Sequence, residues 1–126
     1  MNMNFKIDTK EKFNEISIPE VHLTANMTDD LEQLFNNILQ NPVKNVVLCL
    51  NDVKEIDTQT ANKIASIQQV FYESGASFVI CGLQPAVEHN LDACGLLENL
   101  NITPTLSEAW DILQMEEIER ELLDDF

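Results

Sequence analysis

Two short runs without a polar side chain divide the chain: Val46-Val-Leu-Cys-Leu50, and Phe78-Val-Ile-Cys81 bounded by Ser77 and Gly82. Neither alternates apolar with polar positions, which predicts strands covered on both faces, as in a mostly parallel sheet. Between them the period changes. Ala61, Ile64, Ala65, Gln68, Phe71 and Tyr72 share one helical stripe, flanked by Ile67 and Val70. This predicts a helix over residues 58–74, with Asp57 or Thr58 as its cap and Gly75 at its end, where a left-handed backbone costs glycine nothing.

The flanks complete the pattern. Leu31, Leu34, Phe35, Ile38 and Leu39 predict an earlier helix, capped by Thr28, with Asp29 and Asp30 at the positive end of its dipole and Pro42 as its stop. Residues 5–19 hold two β-like pieces, FKID and FNEISI, split by TKEK, and residues 21–23 are expected to extend the second. Pro85 opens a short helix through Ala93, ending near Gly95. Residues 101–104 read as a turn or brief strand, and residues 106–115 as a last helix, capped by Thr105 or Ser107, with Ala109, Ile112 and Leu113 facing inward. Residues 116–126, with six acids against Arg120 alone, either extend that helix or fray. Strand-helix alternation predicts a single α/β domain over residues 1–126, with right-handed crossovers onto one sheet. The sheet is expected to be mixed and mainly parallel, of four or five strands, with helices packed mostly on one side and Cys49 and Cys81 buried on neighbouring strands.

Composition narrows the function. Hydrophobic residues make up 44% of the chain, enough to bury a core, so the net charge of −15 does not signal disorder. Such a surface repels phosphate backbones and anionic membranes, which argues against nucleic acid as a partner. No apolar run spans a membrane and residues 1–12 do not resemble a signal peptide, so a cytoplasmic protein that is not membrane-inserted is expected. The three cysteines (the third is Cys94) form no CxxC pair or zinc spacing and read as structural thiols. His22 and His89 sit in no ligand cluster, and glycine-rich phosphate loops and GxSxG are absent. Asp29-Asp30 and Asp124-Asp125 read as solvated helix-end charge. No catalytic residue, metal or cofactor is expected, and the chain is read as a protein-binding module, not an enzyme.

Over residues 45–97 the sequence resembles the STAS domain of anti-sigma factor antagonists. The family pattern is an apolar strand, a polar turn, a hydrophobe-Asp-Ser/Thr step opening a helix, a glycine at its end, a second apolar strand, a short helix and a Gly-Leu pair. Here these read VVLCL, NDVKE, Ile56-Asp57-Thr58, Gly75, FVICGL, QPAVEHNLDAC and Gly95-Leu96. Residues 102–109 also resemble the family's approach to its last helix. The resemblance implies reversible binding to a protein partner, an anti-sigma factor or serine/threonine kinase. It also implies a switch at Asp57. Many members carry Asp-Ser-Ser-Gly, with a serine phosphorylated by a kinase partner. Stressosome-type members carry Asp-Ser or Asp-Thr followed by other residues. This chain has Asp57-Thr58-Gln59-Thr60-Ala61, departing at the second serine and the glycine. Thr58 is the phosphorylation candidate and Thr60 its rival. The alternatives are a STAS-type regulatory subunit of a membrane transport system, or a constitutive binder without a switch.

The loops following the two buried strands are expected to form the contact face, because sites in open α/β sheets gather at carboxyl ends of strands. The candidates are Asp52, Lys54, Glu55, Asp57, Thr58, Gln59, Asn62 and Gln84.

Overall fold

The two apolar runs lie side by side at the centre of the sheet. In the computed structural model, which describes residues 3–124, β1 (Lys6–Thr9) pairs antiparallel with β2 (Asn14–Ser17). Parallel pairings then join β2 to β4 (Val46–Cys49), β4 to β6 (Phe78–Cys81), and β6 to β7 (Ile102–Thr103). The five strands run in the order β1-β2-β4-β6-β7, within the mixed, mainly parallel architecture expected.

Side-chain alternation sends the central strands' residues into two cores. Ile16, Val46, Leu48, Phe78 and Ile80 join one cluster with α1 (Thr28–Leu39), α2 (Thr58–Glu73) and α3 (Pro85–Ala93). Phe35, Phe71 and Phe78 meet edge-on there, with ring centroids 5.2–5.9 Å apart; such pairs add about 0.5–1.5 kcal/mol each beyond buried area. The opposite face, with Val47, Cys49, Val79 and Cys81, is covered by Ala109 and Leu113 of α4 (Leu106–Asp124). Cys49 and Cys81 are register partners with sulfurs 3.4 Å apart. The neighbouring sulfur, then burial, pushes the Cys49 thiol up.

Two local expectations change, and one left open is decided. Residues 21–23 do not prolong β2: His22–Leu23 is a separate strand, β3, paired in parallel with β5 (Glu55–Ile56). This pairing is long-range, so a local apolar pattern could not reveal it. Thr28 is not the cap of α1. Met27 holds that position, and the Thr28 hydroxyl donates to the Ala25 carbonyl at 2.9 Å, because a single 3₁₀ turn over Ala25–Met27 leads into the helix. Of the two outcomes left open for the residues after Met115, extension is the one observed: the last helix runs to Asp124; Asp125 and Phe126 lie outside the described residues. It is pinned by buried Asn45, whose amide donates to Glu117 at 2.8 Å, and by Arg120, which donates to Ser77 Oγ at 3.0 Å. Thr105 is its cap, accepting from the Glu108 N–H at 3.2 Å.

The end of α2 follows the sequence. Gly75 has φ +77°, and the Ala76 N–H reaches back to the Phe71 carbonyl at 2.9 Å. A left-handed residue is what this helix-ending pattern requires.

Candidate functional site

Everything at the amino end of α2 is organised by Asp57. Its extended backbone lets the side chain turn back over the first turn, where Oδ1 accepts from the Thr60 N–H at 2.8 Å. Oδ2 accepts from the Ala25 N–H, also at 2.8 Å, so the cap ties α2 to the segment before α1. The adjacent Thr60 hydroxyl and the two backbone bonds hold this carboxyl below the usual carboxylate range, against the cost of burial. That hydroxyl makes no bond of full hydrogen-bond geometry, so the backbone bonds are the firmer cause.

The two hydroxyls are sorted cleanly. Thr58 is the first residue of α2 and exposed, with Oγ1 3.4 Å from the sulfur of exposed Cys94. Thr60 is fully buried, and among the described residues its Oγ1 is the one buried side-chain oxygen or nitrogen without a partner. Asp57 and not Thr58 is the cap.

Asp52, Lys54, Glu55, Gln59 and Asn62 are exposed, and Gln84 is half-buried. The Gln84 amide donates to the Asn51 carbonyl at 2.7 Å, joining the loops that follow β4 and β6. Lys54 and Glu55 are held by the residue preceding β3, since both their N–H groups donate to the Val21 carbonyl. Close packing backs this corner: Gly82 has φ +75°, and a Cβ there would lie 2.5 Å from the Asn51 side chain.

Sequence reasoning missed the opposite wall of this face. A shallow cleft of about 460 Å³ is lined by His22, Thr24, Lys54, Asp57, Ala86 and Asn90, among others. His22 Nδ1 lies 3.2 Å from a Glu55 carboxylate oxygen, in an exposed pair. No local signal points to His22, Ala86 or Asn90; only the β3–β5 pairing and the docking of α3 bring them beside Asp57. A larger groove, about 520 Å³, lies between the β1–β2 turn and α4, beside the Phe13 and Trp110 rings, which meet at a tilt of 32°. It contains none of the residues singled out above. Among the described residues, no group of three or more His, Cys, Asp or Glu side chains could hold a metal ion, and no helix is long and apolar enough to cross a membrane.

A five-stranded mixed sheet with one antiparallel edge, three helices on one face and an Asp-Thr step opening α2 defines a STAS-type α/β domain. The chain belongs to the STAS domain family, whose pattern it matches over residues 17–109. No curated protein sequence matches it. Among solved structures it is similar to a serine-to-glutamate variant of RsbS from Moorella thermoacetica, at 22% identity and TM-score 0.74, covering 95% of this chain and 99% of that one. It is also similar to an anti-sigma factor antagonist from Mycobacterium paratuberculosis, at 15% identity and TM-score 0.76, covering 90% and 95%. A third likeness is to the anti-sigma factor antagonist SpoIIAA in its unphosphorylated form, at 13% identity and TM-score 0.69, covering 88% and 96%.

Proposed function

We propose that this chain is a non-enzymatic cytoplasmic regulator that controls a protein partner, an anti-sigma factor or serine/threonine kinase, by reversible binding. The contact face is Asp52, Lys54, Glu55, Asp57, Thr58, Gln59, Asn62 and Gln84, and phosphorylation of the Thr58 hydroxyl releases the partner. The observation that carries the reading is the exposed Thr58 hydroxyl on the first turn of α2, directly after a capping aspartate.

A phosphoryl group transferred there from a nucleoside triphosphate replaces the hydroxyl proton and adds roughly 1.5–2 negative charges. Backbone N–H groups and the helix dipole favour it. The Asp57 carboxylate opposes it, so its main effect is repulsion at the contact face and not a firmer helix. Thr60 is set aside because its oxygen is buried. Two of the similar structures, an unphosphorylated form and a serine-to-glutamate variant, fit a family in which this kind of change is studied.

The test combines mass spectrometry of the protein from its native host with binding of the native partner. Thr58→Glu is expected to weaken binding and Thr58→Ala to keep it without regulation. Charge reversal at Lys54 or Glu55 is expected to change affinity. If Thr58→Glu binds like the wild type, the chain is a constitutive binder. If the partner docks on α1, the face is misassigned.

A further inference from the structure

The outer face of α4 carries an apolar stripe that the fold leaves uncovered. Met115, Ile118 and Leu122 are 60%, 55% and 55% exposed. Their spacing of three and four residues puts them in one line along the helix. The opposite side of the same helix is anchored: Ala109 and Leu113 are buried, Glu117 accepts from Asn45, Glu116 accepts from the Tyr72 hydroxyl at 2.8 Å, and Arg120 donates to Ser77. The stripe is therefore held facing directly away from the sheet, on a helix whose rotation is fixed. Helical spacing places Glu119 along one border and Glu121 along the other, with Asp111 continuing the line toward the helix start. The helix's only cation, Arg120, is turned inward.

We propose that this stripe is a second docking surface, separate from the Thr58 face, and that its occupant is an amphipathic helix of a protein partner with an apolar stripe bordered by Lys or Arg. Charge decides the occupant. A second copy of the chain would set the same glutamates against each other on molecules that each carry −15, and three side chains offer little of the area a stable dimer needs. An anionic membrane surface is repelled in the same way. A basic helix covers the apolar line and neutralises both borders at once, the helix-on-helix form of peptide recognition.

The test is an NMR titration of the full chain with a synthetic helix of about five turns, carrying leucines along one stripe and lysines elsewhere. A scrambled peptide of the same composition and a leucine/glutamate peptide serve as comparisons. Saturable binding of the leucine/lysine peptide is expected, with shifts centred on Met115, Ile118 and Leu122 and with affinity falling as salt rises. Ile118→Ser with Leu122→Ser, both on the outer face, should weaken it roughly tenfold or more. Glu119→Lys with Glu121→Lys should shift preference toward the leucine/glutamate peptide. Thr58→Glu should leave this binding unchanged, so the two faces stand or fall separately. Equal binding of the scrambled peptide, shifts centred elsewhere, indifference to the serine pair, or dimerisation of the chain through the stripe would each overturn the proposal.

Discussion

The Asp57 carboxylate accepts the Ala25 N–H at 2.8 Å across 32 residues of sequence. One side chain thus closes the first turn of α2 and fixes the segment entering α1. Asp57→Ala should cost about 1–2 kcal/mol in urea unfolding, at the upper end for a helix cap because two backbone donors lose their acceptor. The pH dependence has a definite sign. The folded pKa lies below the ordinary value of 3.8, so this contribution is complete above that value and disappears as pH falls through the lower folded pKa. Asp57→Ala should therefore lose part of the wild type's stability decline in acid, read from unfolding midpoints between neutral and strongly acidic pH.

Thr60 offers a contrasting case beside it. Its hydroxyl is buried and makes no bond of full hydrogen-bond geometry, only a poorly aligned approach to Asp57, so the oxygen returns little for its desolvation cost. Thr60→Val keeps the shape and the β-branch. It should leave stability unchanged or raise it by up to about 1 kcal/mol. A clear loss in the denaturation midpoint would mean that the hydroxyl has a partner, Asp57 being the nearest.

What the sequence revealed and what it hid divide along contact range. Val46 to Leu50 and Phe78 to Cys81 announced themselves because strands covered on both faces cannot carry polar side chains, and α2 because its buried stripe repeats at helical spacing. Thr58 and Asp57 were legible for the same local reason: a helix start has few chemical solutions. The β3–β5 pairing was not, since two residues at each strand carry no periodicity, and with it went His22 and the far wall of the Asp57 cleft. The end of α4 was left open between extension and fraying because its last turns bury few apolar side chains. They are held by Asn45–Glu117 and Ser77–Arg120, contacts between positions more than 40 residues apart.

The thiols should separate by accessibility. Cys94 is exposed, whereas Cys49 and Cys81 are buried, with the Cys49 thiol pushed up by its neighbour and by burial. A thiol-reactive chromogenic disulfide should label one cysteine per chain rapidly at neutral pH, and all three once the chain is unfolded. Cys94→Ser should abolish the rapid phase. Prior phosphorylation of Thr58, whose oxygen lies 3.4 Å from the Cys94 sulfur, should slow it, because the phosphoryl group crowds the reagent's approach to that sulfur.

Gly82 supplies the sharpest steric test of the corner between the β4 and β6 loops. Its φ of +75° costs an L side chain about 1–2 kcal/mol. A Cβ there also meets the Asn51 side chain at 2.5–2.6 Å, within a distance real Cβ atoms do not tolerate. Asn51 can swing its exposed side chain aside without moving the backbone carbonyl that accepts from Gln84, so the backbone share of the cost is the larger one. Gly82→Ala should lower stability by about 2 kcal/mol in denaturant unfolding. Because the displaced atoms border Asp52 and Gln84, the same substitution should also weaken binding of the native partner. Asn51→Ala in the Gly82→Ala background removes the obstructing amide while keeping the backbone acceptor. It should recover the steric share of the loss and leave the backbone share, a difference that a double-mutant cycle of unfolding free energies measures directly.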